Sequence, residues 1–537
     1  AAFAKGLQGD HPKYWRTASL MKHFLANSNE ETRVRSSSNF DERLLREYYA
    51  VPFRMGVEQG GSRAYMAAYN AYNEIPCTVH PILKNITIDE WSVDGIICTD
   101  AGALKMMVTE HHYYPDLPMA AAASVKAGIN QFLDDYREAI RKALKEGLLT
   151  EQQIDEVIRG NFRVMIRLGL LDPPEKVPYH DIGSKNEPEP WETEEHQSVA
   201  LELTRESIVL LKNEKEFLPL DQKKLNSIAV IGPRSDEVLL DWYSGMPPYR
   251  VTALEGIQKK AGKDFEILHT ADTSVKAVSE LAAQADVAIV CVGNHPTCNA
   301  GWDKCPTLSE GKEAVDRRSI QLEQEKLVKA VYRANPNTVV VLISSFPYAI
   351  TWTDHHVPAV LHMANNSQEL GTALADVIFG DYNPAGRLVQ TWPREMDQLP
   401  HILDYNIRNG RTYMYFQGEP LYPFGYGLSY TSFDYSNLEM DRSHISRNST
   451  INIRVDVKNT GNYDGDEVVQ LYIKHLDSEV KRPDLELKGF KRVSLRKGKK
   501  KTLQFELKGK DLLYWDSLSD EWKLEDDKIR LMIGSSS

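Results

Sequence analysis

The sequence predicts a multidomain protein in which two α/β regions are followed by an all-β region. At 537 residues the chain is too long for a single hydrophobic core. Helix-like and strand-like segments alternate in residues 1–172, and again after about residue 196, as they do in α/β domains. From about residue 435, short runs of alternating apolar and polar residues indicate β-strands with no helices between them.

Composition and charge exclude several classes of protein. The chain is 42% hydrophobic and 26% charged, which is ordinary for a globular protein. Its net charge of −12 argues against a nucleic-acid or anionic-membrane partner, since either would need a basic surface. No apolar run approaches the roughly 18–20 residues of a membrane span, and no leader-like segment is visible at the start of the sequence.

The first α/β region places polar residues where its predicted strands end. Helices are expected near residues 43–57 and 82–91, and a capping box at Thr150–Gln153 predicts a longer helix that ends near Gly169. Strands are expected at four places, the last of them ending in acidic residues: 21–24, 64–69, 96–99 and 129–135.

Asp100 follows the apolar run Ile96–Thr99, which has the composition of a buried strand. A carboxylate in that position is costly to bury, and at the carboxyl end of a barrel strand it usually serves chemistry. The alternative is that Asp100 caps a helix starting near Ala103. Four more polar residues are expected at strand ends or just after them: Lys22, His23, Arg33 and Tyr69. Each alone fits a surface charge or a core side chain, but together they predict a site at the mouth of a barrel.

A linker rich in Pro, Glu and His covers residues 173–195, and a second α/β domain is predicted over 196–400. Its strands should be covered on both faces in a mostly parallel sheet, because they are continuous apolar runs: 227–232, 286–293, 338–344 and 358–362. A Gly-Pro follows the first of these strands in place of a phosphate-binding glycine pattern. This argues against a nucleotide site.

The loop between Gly293 and a helix expected at 323–334 is rich in carboxylates, among them Glu310 and Glu313. Such a run is either a solvated charged turn or the source of an acid whose pKa is raised by an apolar wall. Both interpretations stay open on the residues alone.

A connector dense in Gly, Pro and Tyr covers 401–434, and the all-β region at 435–537 predicts an immunoglobulin-like or fibronectin type III-like sandwich.

Five cysteines are too few for a disulfide scaffold. Cys298 and Cys305 either form a bridge in an oxidising compartment or remain thiols, whereas the other three lie in or beside apolar runs as packed thiols. No Cys/His spacing resembles a metal site.

The chain resembles glycoside hydrolase family 3, in particular its β-xylosidase and β-glucosidase branch. The matching motifs occur in the family's order over nearly the whole chain: Lys22-His-Phe24, Met66-Ala-Ala-Tyr-Asn70, Ile97-Cys-Thr-Asp-Ala-Gly-Ala103, Glu206-Ser-Ile-Val-Leu-Leu-Lys-Asn213, Glu313-Ala-Val-Asp-Arg317, Gly386-Arg-Leu388 and Tyr422-Pro-Phe-Gly-Tyr-Gly-Leu-Ser-Tyr430. The resemblance implies a TIM-type (β/α)8 barrel, an α/β sandwich and a fibronectin type III-like β-sandwich.

The resemblance also implies roles for the candidate residues. Asp100 matches the nucleophile, and Lys22, His23, Arg33 and Tyr69 match positions that hold the sugar in the −1 subsite. Glu313 has the spacing of the Glu-x-x-Asp-Arg acid/base motif, with Glu310 as the alternative. A retaining double displacement follows from these roles. It requires no metal and no organic cofactor.

The implied function is exo-acting release of a terminal sugar from a β-linked oligosaccharide. β-D-Xylosides are the first choice, because Ser345–Trp352 and the Glu-Ala-Val-Asp-Arg run resemble the xylosidase branch. A β-glucosidase or an α-L-arabinofuranosidase is the alternative within the family, and an inactive carbohydrate-binding fragment is the alternative from another class. An oligosaccharide is the expected partner, a homodimer is possible, and a periplasmic or secreted location is favoured over the cytoplasm. The family's N-acetylglucosaminidase branch is set aside, because Lys-His-Phe runs here into Leu25-Ala-Asn-Ser-Asn29.

The length of the first region predicts an incomplete barrel. A (β/α)8 barrel typically needs about 250 residues, and only 172 residues lie before the Asp172-Pro-Pro stop. The acid and the arginine that the family's first strands supply have no counterpart here. We therefore expect an open sheet with exposed edges that is prone to association, and weak activity of this chain alone.

Overall fold

The computed structural model describes residues 1–183, 188–241, 243–263, 265–297, 310–311, 313–365 and 367–537. The chain forms two compact units. Unit 1 comprises Ala1–Glu187, His401–Asn406 and Tyr514–Lys523, and unit 2 comprises Pro188–Pro400, Ile407–Leu513 and Leu524–Ser537. Cys298 and Cys305, the candidates for a disulfide, lie outside the described residues.

Unit 1 contains a parallel sheet of three strands in the order β1 (Met21–Phe24), β2 (Ala64–Ala67) and β3 (Ile96–Thr99). All three were predicted from the sequence, at 21–24, 64–69 and 96–99. The strand predicted at 129–135 is reduced to a one-residue parallel bridge between Cys98 and Gln131. Beyond this bridge, the Leu133 N–H donates to the Thr99 side-chain hydroxyl at 3.4 Å and not to a backbone carbonyl of β3. Across the described part of unit 1 this sheet does not close into eight strands.

Helices of unit 1 follow the predicted pattern and add detail. The predicted helix near 43–57 consists of three consecutive pieces, of which the middle one is a π-helix: Glu42–Leu44, Leu45–Tyr49 and Val51–Glu58. The capping box at Thr150 is confirmed. The remaining helices are Ala2–Gln8, Leu83–Glu90 (π-helical), Ala103–Thr109, Leu117–Ala127, Arg137–Lys145 and Glu151–Arg167. Short strands at Ser37–Ser38, Ala71–Tyr72 and Ile75–Pro76 form a separate small sheet.

The helix Glu151–Arg167 approaches the start of β3 so closely that only glycine fits at the contact. A Cβ atom on Gly160 would lie 2.0 Å from the Gly95 carbonyl oxygen and 2.6 Å from Nδ2 of Asn130. Asn130 Nδ2 also donates to the same Gly95 oxygen at 2.8 Å. The contact therefore fixes the start of β3, the strand that Asp100 follows.

We expect Gly160→Ala to lower the free energy of unfolding by about 2–3 kcal/mol, because a methyl group there must displace backbone. Urea unfolding followed by circular dichroism measures this change. Gly6→Ala is the matched control, since no atom lies within 4 Å of the added Cβ and helix propensity gains at most about 1 kcal/mol. Equal stabilities of the two variants would contradict the proposed packing.

The α/β domain of unit 2 is built on a six-stranded sheet. Its strands are β4 (Val209–Asn213), β5 (Ser227–Ile231), β6 (Glu266–Thr270), β7 (Val287–Val292), β8 (Thr338–Ile343) and β9 (Ala359–Met363). The order is β4-β9-β8-β7-β5-β6, and all pairs except β4–β9 are parallel. Four strands were predicted. The two that were missed, β4 and β6, lie at the edges of the sheet.

Alternate residues of the central strands enter two apolar cores, one on each face of the sheet. Val230 and Val341 belong to one core, and Ala229 and Val340 belong to the other. This double burial confirms the inference drawn from the continuous apolar runs.

The helices of unit 2 are Glu194–Ser207, Ala253–Ala261, Val275–Ala282, Glu325–Ala334, Thr351–His356, Leu370–Phe379 and Thr412–Tyr415.

The all-β region is a sandwich of two three-stranded antiparallel sheets. The strands are β10 (Phe433–Met440), β11 (Thr450–Asn459), β12 (Gly465–His475), β13 (Glu486–Leu495), β14 (Lys500–Lys508) and β17 (Ile529–Gly534). One sheet has the order β10-β11-β14, and the other has the order β13-β12-β17. A hairpin of β15 (Tyr514–Asp516) and β16 (Glu521–Lys523) belongs to unit 1. In that unit Arg46 lies 3.7 Å from the centroid of the Trp515 ring.

Cys77, Cys98 and Cys291 are buried, as predicted, and burial raises the pKa of each thiol to about 12. Thiols in that state are unreactive packing groups.

None of the helices in the described ranges combines the length and the apolar character needed to cross a bilayer.

Candidate active site

Asp100 directly follows β3 at its carboxyl end and is 8% exposed. Its Oδ1 accepts a hydrogen bond from Ala101 N–H at 2.8 Å, and its Oδ2 lies 3.3 Å from Nε2 of His23. The helix that follows begins after Gly102 and has no side-chain cap. Asp100 therefore does not cap this helix, and the competing structural interpretation is not supported.

The turn after Asp100 is held from the neighbouring segment. Gly102 has φ of 73°, which is a conformation that favours glycine, and its N–H donates to Oδ2 of Asp134 at 2.5 Å. Asp134 lies just beyond the bridge at Gln131. Because this bond fixes the backbone two residues beyond Asp100, it restricts the direction in which the Asp100 carboxylate can point.

Lys22 and His23 lie on β1, next but one to β3 in the sheet. His23 is the residue whose contact with Asp100 is direct. The effect of Lys22 is visible at Cys98, on the strand that Asp100 follows. Burial and the Asp100 charge raise the pKa of this thiol, whereas the positive charge of Lys22 lowers it. Both predicted basic groups therefore act on the end of β3.

Arg33 and Tyr69 contact one another, as expected for two residues of one site. The Arg33 guanidinium carbon lies 5.3 Å from the centroid of the Tyr69 ring, and Arg33 Nη1 lies 2.8 Å from Oε2 of Glu30. The loop that carries Arg33 is anchored by the fully buried Asn29, whose Nδ2 donates to the Tyr405 hydroxyl at 2.9 Å. This anchor explains why residues 401–406 belong to unit 1.

Three residues that sequence reasoning did not single out support those that it did. Glu30 pairs with Arg33, and Asp134 holds the turn after Asp100. His111 Nε2 lies 2.8 Å from the Tyr69 carbonyl oxygen, and burial lowers the pKa of His111. A neutral imidazole there donates its N–H to that carbonyl. Only Asp134 had a signal in the sequence, namely its position at the end of a predicted strand.

In unit 2, the two candidate glutamates have different surroundings. Glu310 is 7% exposed, and its Oε1 lies 3.9 Å from Nη2 of Arg234. Arg234 is itself buried and also pairs with Glu237. Glu313 is partly exposed, and its carboxylate accepts hydrogen bonds from the Tyr243 hydroxyl at 3.0 and 3.2 Å. Glu313 therefore combines a partly exposed carboxyl with a neutral hydroxyl donor, whereas Glu310 is buried near a guanidinium.

Arg317 secures the loop that carries Glu313. Its guanidinium carbon lies 3.6 Å from the Phe346 ring centroid and 4.7 Å from that of Tyr348, and its Nη1 donates to the Pro347 carbonyl at 3.0 Å. Burial lowers the pKa of Arg317 to about 10. The Glu-x-x-Asp-Arg motif and the Phe346–Tyr348 segment are therefore one structural piece.

Within the described residues, three groups with metal-ligand chemistry lie together only at His475, Glu525 and Asp527, in the β-sandwich. His475 Nδ1 lies 2.6 Å from Oδ2 of Asp527, and Arg482 Nη2 lies 3.1 Å from Oε2 of Glu525. Side chains of the sandwich therefore already contact Asp527 and Glu525, two of the three groups.

Comparison with protein-family models gives three matches along the chain. Residues 1–164 match the Glycosyl hydrolase family 3 N terminal domain, residues 208–430 match the Glycosyl hydrolase family 3 C-terminal domain, and residues 467–537 match the Fibronectin type III-like domain.

Two curated relatives are similar over the whole chain. "Beta-xylosidase" of Formosa agariphila is 33% identical, with 100% of this chain and 76% of the relative covered. "Thermostable beta-glucosidase B" of Acetivibrio thermocellus is 32% identical, with 100% of this chain and 69% of the relative covered. A solved structure of a β-glucosidase from Erythrobacter marinus superposes with a TM-score of 0.87 at 28% identity, covering 100% of this chain and 75% of that one.

Proposed function

Because this chain belongs to glycoside hydrolase family 3 and is a β-glycosidase, we propose that it is a retaining, exo-acting enzyme with a preference for β-D-xylosides. The observation that carries the mechanism is the placement of Asp100, a nearly buried carboxylate at the end of β3 that contacts His23 and caps no helix. A carboxylate in such a position is available as a nucleophile.

In the first step, an Asp100 oxygen forms a bond to the anomeric carbon while the bond to the glycosidic oxygen breaks. The leaving oxygen takes a proton from Glu313. In the second step, water gives a proton to Glu313 and attacks the anomeric carbon, which releases Asp100 and returns the sugar with its original configuration. His23 Nε2, which lies 3.3 Å from Oδ2 of Asp100, helps to hold the attacking carboxylate in place.

The remaining site residues are proposed to orient the sugar. Lys22, His23 and Arg33 supply N–H donors for sugar hydroxyls, and Tyr69 packs beside Arg33. Hydrogen bonds from charged donors are the stronger ones, so these residues should act on binding and on the transition state together. Glu30 and His111 then act through Arg33 and Tyr69 as positioning residues.

Glu313 is proposed as the acid/base in preference to Glu310. A proton donor has to reach both a substrate oxygen and, later, a water molecule. Glu313 is partly exposed, whereas Glu310 is 7% exposed with a guanidinium 3.9 Å away. A neighbouring positive charge favours the ionised form of a carboxyl and so disfavours an acid.

The relatives of this chain include proteins named β-xylosidase and proteins named β-glucosidase, and the former support the preference for xylosides. The Formosa agariphila relative is named a β-xylosidase, and the Acetivibrio thermocellus relative is named a β-glucosidase. The Phe346–Tyr348 segment that holds Arg317 belongs to the run that resembles the xylosidase branch. β-Glucosidase is the second candidate, since the similar solved structures include β-glucosidases.

We expect nitrophenyl β-D-xyloside to be hydrolysed with a kcat/KM at least about tenfold above that of the β-glucoside. An extra hydroxymethyl group at C5 in a pocket shaped for xylose costs about that much. Nitrophenyl α-L-arabinofuranoside is the third substrate of the comparison. A higher kcat/KM for the glucoside would replace the first candidate by the second, and absence of turnover on all three would favour a carbohydrate-binding protein.

For location, we propose the periplasm or the exterior. One relative, 31% identical and from Salmonella typhimurium, is named a periplasmic β-glucosidase. Fractionation of the native cells, followed by immunodetection, tests this assignment.

A further inference from the structure

The overall negative charge conceals a basic segment in the β-sandwich. Residues 488–510 contain ten lysines and arginines and one acidic residue, Glu506, in a protein of net charge −12. The segment covers the end of β13, the following turn and β14. The net charge of the whole chain argued against an anionic partner. The local charge of this segment does not exclude one that binds here.

The cations of this segment gather at one turn. The backbone of the turn is fixed by Gly498 N–H, which donates to the Asn459 carbonyl at 3.0 Å, and by Lys499 N–H, which donates to the Arg496 carbonyl at 2.9 Å. Lys458 lies directly opposite Lys500 in the β11–β14 ladder. We use "basic turn" for six exposed residues that meet there: Lys458, Arg496, Lys497, Lys499, Lys500 and Lys501.

Acidic residues balance the basic turn only in part. Asp456 Oδ2 lies 2.6 Å from Lys500 Nζ, Asp434 faces Lys458 in the β10–β11 ladder, and Asp464 accepts a bond from Lys497 N–H at 2.8 Å. Three further cations have no carboxylate oxygen within 4.0 Å in the described part of the chain: Arg496, Lys499 and Lys501. Like charges held side by side repel one another, and a bound polyanion would relieve that repulsion.

We propose that the basic turn is a docking surface for a carboxylate-bearing polysaccharide, that is, a polymer with uronic acid units. Arginine and lysine bind carboxylates through charge-assisted hydrogen bonds. The choice of a polysaccharide rests on the proposed glycosidase function, since docking would hold the enzyme where its oligosaccharides are released. A surplus of three cations is small beside the 6–10 phosphate contacts that a DNA-binding protein typically makes.

The test compares two triple variants of equal charge change. Arg496→Ser/Lys499→Ser/Lys501→Ser removes the surplus cations of the basic turn. Lys145→Ser/Lys259→Ser/Lys326→Ser removes three exposed lysines elsewhere, each also without a carboxylate oxygen within 4.0 Å in the described ranges. Affinity electrophoresis in gels containing polygalacturonate measures binding, and gels with neutral arabinoxylan serve as the uncharged reference.

We expect polygalacturonate to retard the parent chain and the Lys145 triple variant, and the affinity of the basic-turn variant to fall by about tenfold or more. Retardation of the parent should also decrease with added salt, because exposed charges are screened. Aryl glycosidase activity should be the same in all three proteins. If none of the three proteins hydrolysed aryl glycosides, the proposed function would be wrong, but the binding comparison would still test the docking surface.

Three results would overturn the proposal. The first is equal retardation of the two triple variants, and the second is no retardation of the parent by polygalacturonate. The third is tighter binding of the parent to duplex DNA or to phosphatidylserine vesicles than to polygalacturonate at the same ionic strength, since the partner would then belong to another class.

Discussion

Asp100→Asn is expected to lower kcat/KM on nitrophenyl β-xyloside by about 10⁴-fold, since the covalent step loses its nucleophile. The substitution keeps the shape of the side chain and the bond from Ala101 N–H. Stability should change little, because the helix that follows does not depend on a cap from this side chain. Activity and unfolding free energy are measured on the same preparation, so that loss of fold is distinguished from loss of chemistry.

Asp94→Asn is the matched control for this experiment. Asp94 precedes the same strand at its amino-terminal end, and its side chain is 55% exposed. We expect its kcat/KM to stay within about twofold of the parent value, because exposed charges away from a site have small effects. Near-parent activity of Asp100→Asn would show that Asp100 has a structural role only.

Glu313→Ala is expected to slow hydrolysis of substrates with poor leaving groups by about 10³-fold and to affect dinitrophenyl xyloside far less. An acid is needed only where the leaving oxygen must be protonated, and general acid catalysis contributes about 10²–10⁴-fold. Azide should restore turnover and form β-xylosyl azide, because this nucleophile needs no general base. The dependence of kcat/KM on leaving-group pKa, measured with and without azide, provides the readout.

Glu310→Ala is the comparison that decides between the two glutamates. Removing it leaves Arg234 without one of its acidic neighbours, so we expect a loss of stability and a uniform loss of activity across leaving groups. The opposite pattern, with azide rescue of Glu310→Ala and none for Glu313→Ala, would transfer the acid/base role to Glu310.

The strands were predictable where burial is complete. β3 and the central strands β7 and β8 are apolar runs, and nearly all of their residues are buried. The two edge strands of the six-stranded sheet, β4 and β6, were missed, because their burial or composition is mixed. Glu266–Thr270 is only partly buried, and Val209–Asn213 ends in Lys212 and Asn213. The predicted strand at 129–135 gave way to side-chain bonds from Thr99 and Asp134.

The residues of the candidate site also divide into those that the sequence predicted and those that it did not. Asp100, His23 and Tyr69 were predicted because polar residues at strand ends are costly to bury unless they are used, and Arg33, which lies in a loop after β1, was predicted together with them. Glu30 and His111 were not predicted. Glu30 contacts Arg33 and His111 contacts the Tyr69 carbonyl, and these contacts exist only in the folded chain. Glu313 and Glu310 differ in burial, which their shared loop composition did not reveal.

The most direct measurement of the central claim is the capture of the covalent intermediate. A dinitrophenyl 2-deoxy-2-fluoro-β-xyloside forms the glycosyl-enzyme quickly and releases it slowly, since the fluorine destabilises both positively charged transition states. Peptide mass spectrometry of the inactivated protein should place one fluoroxylosyl group on Asp100, and Asp100→Asn should remain unlabelled. A label on any other residue, or hydrolysis with inverted configuration and no label, would contradict the account.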